Sequence, residues 1–167
     1  YIFKLFGSRF EWQIHWLLQK KFIHKKNKSF RCADVTSLLD EKTKFDVVLM
    51  VDFLHHIPDE IAKKILKTSS LLADQYIICF EPIKEQKNRI GQLIINNDRG
   101  DHIRPLNELH KLFEGTDCEI INSSELKIGP ITSRAILAIP KKKMKWHNMS
   151  KRLNHMTMSH NHIFYLD

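Results

Sequence analysis

FDVVLMVDFLHHIPDE, residues 45–60, reads as a buried strand, a tight connection and the start of a helix. Its first seven residues form a nearly continuous apolar run rich in valine, and so short a run suits a parallel strand covered on both faces. Asp52 and the paired histidines His55 and His56 follow. Beyond them Asp59 and Glu60 stand where carboxylates complement a helix N-terminus. IAKKILKTSSLL continues that helix, with Ile61, Ile65 and Leu66 on one face and Lys63, Lys64 and Lys67 on another. The next apolar run, from Tyr76 to Phe80, ends in Glu81 and Pro82. Strand, helix, strand at this spacing predicts a βαβ unit whose two strands are parallel neighbours and whose crossover is right-handed.

Outward from this unit the same alternation continues. Upstream, Ser29 to Cys32 reads as a short strand that runs into Ala33, Asp34 and Val35; Trp12 to Leu18 reads as another strand and Gln19 to Lys26 as a basic helix. Downstream, Pro105 sits well in the first turn of a short helix whose Leu106, Leu109 and Leu112 or Phe113 face inward. Two more strands are expected over residues 118–122 and 134–139, with ELKIGPITS turning between them at Gly129 and Pro130. After Pro140 the pattern stops. Residues 141–167 form a basic tail with four of the five methionines and no clear period, so we expect a domain over residues 1–140 and a tail that its core does not need.

Composition narrows the function classes. A chain of 167 residues with 43% hydrophobic content holds one packed core and not two. No apolar stretch approaches the roughly 18 residues of a membrane span, and YIFKLFGSRFEW lacks the apolar region and cleavage site of a secretory signal. A cytoplasmic protein is expected. Cys32, Cys79 and Cys118 are odd in number and widely spaced, which fits small core residues better than a disulfide framework or a thiolate metal site. The tail histidines His147, His155, His160 and His162 lack an organised surrounding shell, and no metal site is expected. The net charge of +8 is concentrated in residues 20–31 and 141–152, so it reads as solvated lysine-rich faces before it reads as a nucleic-acid footprint.

Acids at the ends of strands carry the chemical signal. In an open α/β sheet the ligand crevice lies outside the carboxyl ends of the strands. Asp34 and Asp52 both fall there, Asp34 able to accept from an adenine amino group or equally to cap a turn.

With these pieces in order, the chain resembles the class I S-adenosylmethionine-dependent methyltransferases. FDVVLMVDFLHHIPDE looks like the fourth-strand segment of that family, ADV like its acidic adenine-binding loop, LLADQYIICFEPI like the fifth strand, and NDRGDHIRPLNEL with GPITSRAILAI like the closing region. The resemblance implies a Rossmann-like α/β fold, a mostly parallel sheet flanked by helices with an antiparallel closing strand and the order 3-2-1-4-5-7-6. It implies methyl transfer from S-adenosylmethionine to a small-molecule acceptor, with Asp34, Val35, Val51 and Asp52 along the cofactor and His55 or His56 as the base near the acceptor. One of the two histidines should face the crevice and the other the sheet or solvent.

The departures from the family are equally specific. The glycine-rich loop that admits the donor's methionine portion is matched by no GxGxG. YIFKLF resembles the helix that follows that loop, and WQIHWLL aligns with the strand that brings an acid to the ribose, with His15 or Trp16 in its place. The first strand and its loop are therefore expected in a missing upstream segment, and the chain without them is expected to bind the donor weakly. A non-catalytic relative that binds a partner is the second reading, and an RNA-binding or RNA-modifying protein the third.

Overall fold

The valine-rich run at 45–51 forms the strand around which the rest is arranged. The computed structural model describes residues 2–4, 30–32, 44–98, 100–141 and 163–166. In chain order its strands are β1 (Ile2–Lys4), β2 (Phe30–Cys32), β3 (Phe45–Val51), β4 (Ala73–Pro82), β5 (Cys118–Ile128), β6 (Ile131–Pro140) and β7 (Ile163–Leu166). A single 3-10 turn, Leu54–His56, follows β3. The helices are α1 (Asp59–Leu72), α2 (Arg89–Asn96) and α3 (Leu106–Lys111).

All seven strands share one sheet in the order β2-β1-β7-β3-β4-β6-β5. β3 and β4 are parallel neighbours, in register from Val47 opposite Tyr76 to Val51 opposite Phe80, and α1 connects them as the βαβ reading requires. β1 lies parallel to β2 and to β7, and β7 parallel to β3. Only β6 runs against its neighbours, pairing antiparallel with β4 and β5. With β7 in the slot of the first strand, this is the 3-2-1-4-5-7-6 order that the resemblance implies.

Phe45, Val48, Met50, Ile77, Cys79, Ile136 and Ala138 bury their side chains in one core with Leu54, Leu66, Leu72, Leu109 and Leu112. α1 presents Ala62, Ile65, Leu66 and Ser69 to it, while Ile61 is 43% exposed. Its buried face is thus centred on Ala62 and Leu66, rotated from the expected Ile61 face. The small Ala62 and Ser69 allow that close approach to the sheet. α3 buries Leu109, with Leu112 and Phe113 just beyond it, as its spacing predicts.

Three expectations need correction. Ile2–Lys4, expected within a helix, is the strand β1; the expected strand at residues 12–18 and helix at 19–26 lie outside the described residues. Ile163–Leu166, expected in a tail apart from the core, forms β7 between β1 and β3, where its backbone takes up the inner edge of β3. Finally, β5 and β6 extend past their predicted ends into one long hairpin, since only Gly129, at φ 58°, and Pro130 make the turn.

Candidate active site

The turn after β3 begins with a backbone reversal. Asp52 donates its N–H to Phe80 O at 2.9 Å, continuing the ladder by one bond, and then adopts φ 49°. Left-handed backbone costs a non-glycine residue about 1 kcal/mol, least for Asp and Asn. This reversal carries the chain across the end of β4. There the N–H groups of Phe53, Leu54 and His55 donate to the Glu81 carboxylate at 3.0, 2.8 and 3.2 Å. Glu81 is 1% exposed. A carboxylate so deeply buried is tolerated because donors surround both of its oxygens.

The carbonyls of the same turn are held by a cation. Arg104 donates from Nη1 to Leu54 O at 2.6 Å and to His102 O at 2.9 Å, and from Nη2 to Ile57 O at 2.7 Å. Its Nε and Nη2 both reach Asp59 Oδ1 at 2.8 Å. Arg104 thereby ties the turn to the first residue of α1. The connection between β3 and α1 is clamped on its donor side by Glu81 and on its acceptor side by Arg104, with the planar guanidinium fork serving several oxygens at once.

His55 is buried, and its Nδ1 lies 2.9 Å from Glu81 Oε2. Since the Glu81 oxygens serve as acceptors, Nδ1 carries a hydrogen, and in the neutral ring Nε2 then holds the lone pair. That nitrogen faces Asp98 Oδ1 at 3.8 Å. The His56 ring centroid lies 4.0 Å from that of His55, but His56 is exposed. Partial burial and the neighbouring His55 lower the His56 pKa, against the opposing pull of Asp98, Glu81 and Asp52. Asp98 accepts the Gly100 N–H at 2.6 Å, and His102 donates its N–H to His55 O at 3.0 Å, which ties residues 100–102 to the turn. A Cβ on Gly100 would stand 2.3 Å from His55 Cδ2. Only glycine permits this approach.

Of the residues expected along the cofactor, Val51 is the half-buried last residue of β3 and Asp52 the exposed reversal after it. Asp34 and Val35 lie outside the described residues. His55 is buried and His56 exposed, yet their rings remain neighbours because a 3-10 turn does not fan adjacent side chains fully apart. Glu81, Asp98, Gly100 and Arg104 were not anticipated as parts of the site. The available signals were an acid closing the apolar run YIICF and the mixed charges of NDRGDHIRP.

No protein-family profile and no curated protein matches this chain. Solved structures do. Magnesium protoporphyrin IX methyltransferase (ChlM) from Synechocystis PCC 6803, with bound SAH, is similar at TM-score 0.55 and 20% identity over 75% of this chain and 57% of that one. N,N-8-amino-8-demethyl-D-riboflavin dimethyltransferase (RosA) from Streptomyces davawensis is similar at TM-score 0.61 and 13% identity, over 83% and 42%. The mitomycin 7-O-methyltransferase MmcR is similar at TM-score 0.58 and 17% identity, over 83% and 41%. The chain spans 57% of the ChlM chain and less of the other two. With the strand order, these likenesses show the class I methyltransferase fold.

Proposed function

We propose that this chain is a methyltransferase domain that moves a methyl group from S-adenosylmethionine to a small-molecule acceptor. The observation that carries the reading is the sheet order, which reverses direction of growth at the β7–β3 boundary and leaves Val51 and Asp52 at the carboxyl edge beside it. Ligands of open α/β sheets bind at such a switch point. ChlM was crystallised with S-adenosylmethionine and with SAH bound, and the acceptors named for RosA and MmcR are small molecules.

The residues present fit one wall of a donor site. Val51 would offer its backbone to the donor and Asp52 its carboxylate, with Asp34 against the adenine and Val35 beside it. When bound, the sulfonium donor supplies an activated methyl group, which the acceptor's lone pair takes in line. Positioning is the main requirement of such a displacement. The clamps at Glu81 and Arg104 support it by fixing the turn next to Asp52. His56, exposed beside that edge, is the imidazole able to receive a proton from an acceptor hydroxyl or amine. His55, held by Glu81, is the positioning residue behind it. We assign the domain to residues 1–140 together with β7, and its location to the cytoplasm.

One observation favours a second reading, a non-catalytic relative that binds a partner: no GxGxG occurs among the 167 residues. Equilibrium dialysis with labelled S-adenosylmethionine separates the two. Methyl transfer predicts saturable binding that Asp34→Ala weakens by about 1–3 kcal/mol, the cost of an orphaned hydrogen-bonding group. Equal retention by both proteins contradicts the Asp34 role, and no retention by either favours the second reading.

A further inference from the structure

The corner formed by His55, His56 and Asp98 has the makings of a metal centre. One ligand atom from each lies within 4.8 Å of the other two. We propose that these three residues bind a divalent first-row transition cation, with zinc suited to two imidazoles and one carboxylate.

Four features support this assignment. Metal-binding histidines usually donate their second ring N–H to a carboxylate, which fixes the tautomer and raises the basicity of the ligating nitrogen; His55 Nδ1 and Glu81 Oε2 make that contact at 2.9 Å. Ligands at 2.0–2.1 Å from one tetrahedral zinc stand about 3.4 Å apart. The His55 Nε2–Asp98 Oδ1 separation of 3.8 Å is within about 0.4 Å of that value. The widest separation the cluster allows, 4.8 Å, needs about 1.4 Å of closure, the scale of a side-chain rotation at the exposed His56 or Asp98. Third, the loop that carries Asp98 is fastened to the His55 backbone through His102 N–H and packs on its ring through Gly100, so the carboxylate is delivered to the imidazole by built structure. Fourth, Glu81 and Asp52 add negative charge around His56.

Three protein ligands leave coordination positions open, as in catalytic zinc sites. His56 and Asp98 are exposed, so those positions face solvent and suit an oxygen donor from a second ligand. Binding of the cation stands independently of the methyl-transfer reading. Its use rests on that reading: the bound cation would hold the acceptor's oxygen and make its hydroxyl acidic enough to release its proton to the solvent that the open positions face, in place of transfer to His56, whose lone pair is then engaged.

The test uses the full chain stripped with a chelator and titrated with zinc by calorimetry, then with cobalt(II) followed by its visible absorption. One equivalent should bind tightly. His56→Ala and Asp98→Asn, both at exposed positions, should each weaken that equivalent at least about tenfold and change the cobalt spectrum. His160→Ala with His162→Ala should leave it unchanged. Absence of zinc binding overturns the proposal. So does binding that ignores His56→Ala and Asp98→Asn, or that disappears with the tail histidines. Retention of labelled S-adenosylmethionine by the metal-free protein is read separately, so a failed metal site and a failed methyltransferase reading give different results.

Discussion

Glu81 concentrates more of the site than any other single residue. Its carboxylate accepts from Phe53, Leu54 and His55 backbone groups and from the His55 ring, so Glu81→Ala would leave several buried donors without partners. Breaking one side of a buried polar network costs about 3–5 kcal/mol. Urea denaturation of the variant should show a loss of that size, and a loss below about 1 kcal/mol would mean that water replaces the carboxylate. Two thiols make a second prediction. Burial raises the Cys118 pKa to about 11 and pushes Cys79 well up. Since the thiolate is the reacting form, alkylation of both at pH 8 should be at least about a hundredfold slower than of a free cysteine, as site-resolved mass spectrometry of the native protein can read.

His110, whose Nε2 lies 2.8 Å from Ser123 Oγ, has its pKa lowered by burial and by Arg134. The unfolded chain therefore binds more protons near pH 6 than the folded one does. The contribution of the neutral ring is present above the ordinary histidine value of about 6.5 and is lost as pH falls through the lower folded value. Proton NMR should show the His110 ring titrating below 6.5, and a midpoint above that value would contradict this. At this scale the sequence exposed the strand-end acids but not their duties. Asp52, Glu81 and Asp34 are equivalent signals in one dimension; only the reversal at Asp52 shows that Glu81 turns inward to hold a loop.

Among the elements, β3, α1, β4 and α3 were legible because each carries a strong apolar period or run. α2 was not. RIGQLIIN places Ile90, Leu93 and Ile94 at the surface, and its interior glycine weakens any helix assignment. The glycine has a packing reason: a Cβ at Gly91 would stand 2.4 Å from Pro130 O. Asn88 strengthens the same junction by accepting the Gly91 N–H at 2.7 Å and donating to Pro130 O at 2.7 Å. Gln86 adds a pair of bonds, donating to Thr132 O at 3.0 Å and accepting its N–H at 2.7 Å. Gly91→Ala, which would favour a free helix, should therefore destabilise this one by about 1–3 kcal/mol through overpacking. A stability equal to or above that of the parent protein would show that α2 can lift from the hairpin without cost.

For the whole molecule, the sheet order was foreseeable except for the origin of two strands, β1 and β7. Ile163–Leu166 is four residues long and follows an aperiodic, basic segment, so nothing local separates it from a tail. Its place is set by the open inner edges of β1 and β3, which would otherwise leave backbone groups unpaired. Removal of residues 141–167 should accordingly lower the melting temperature by more than about 5 °C, a shift on the order of 1 kcal/mol or more for a chain of this size. An unchanged melting temperature would show that β7 adds no stability. The charge belongs to this scale as well. No described helix is long and apolar enough to cross a membrane, and the basic clusters at 20–31 and 141–152 lie largely outside the described residues.

The central claim is that the carboxyl edge at β3 is the face on which this fold receives its donor. Amide NMR spectra recorded during titration with SAH test it most directly, because they read weak binding as well as strong and report where it occurs. We predict saturable shifts at Val51, Asp52 and the Leu54–His56 turn, with the β5–β6 hairpin turn at Gly129 unmoved. Shifts confined to the hairpin or the tail, or none at millimolar SAH, would contradict it.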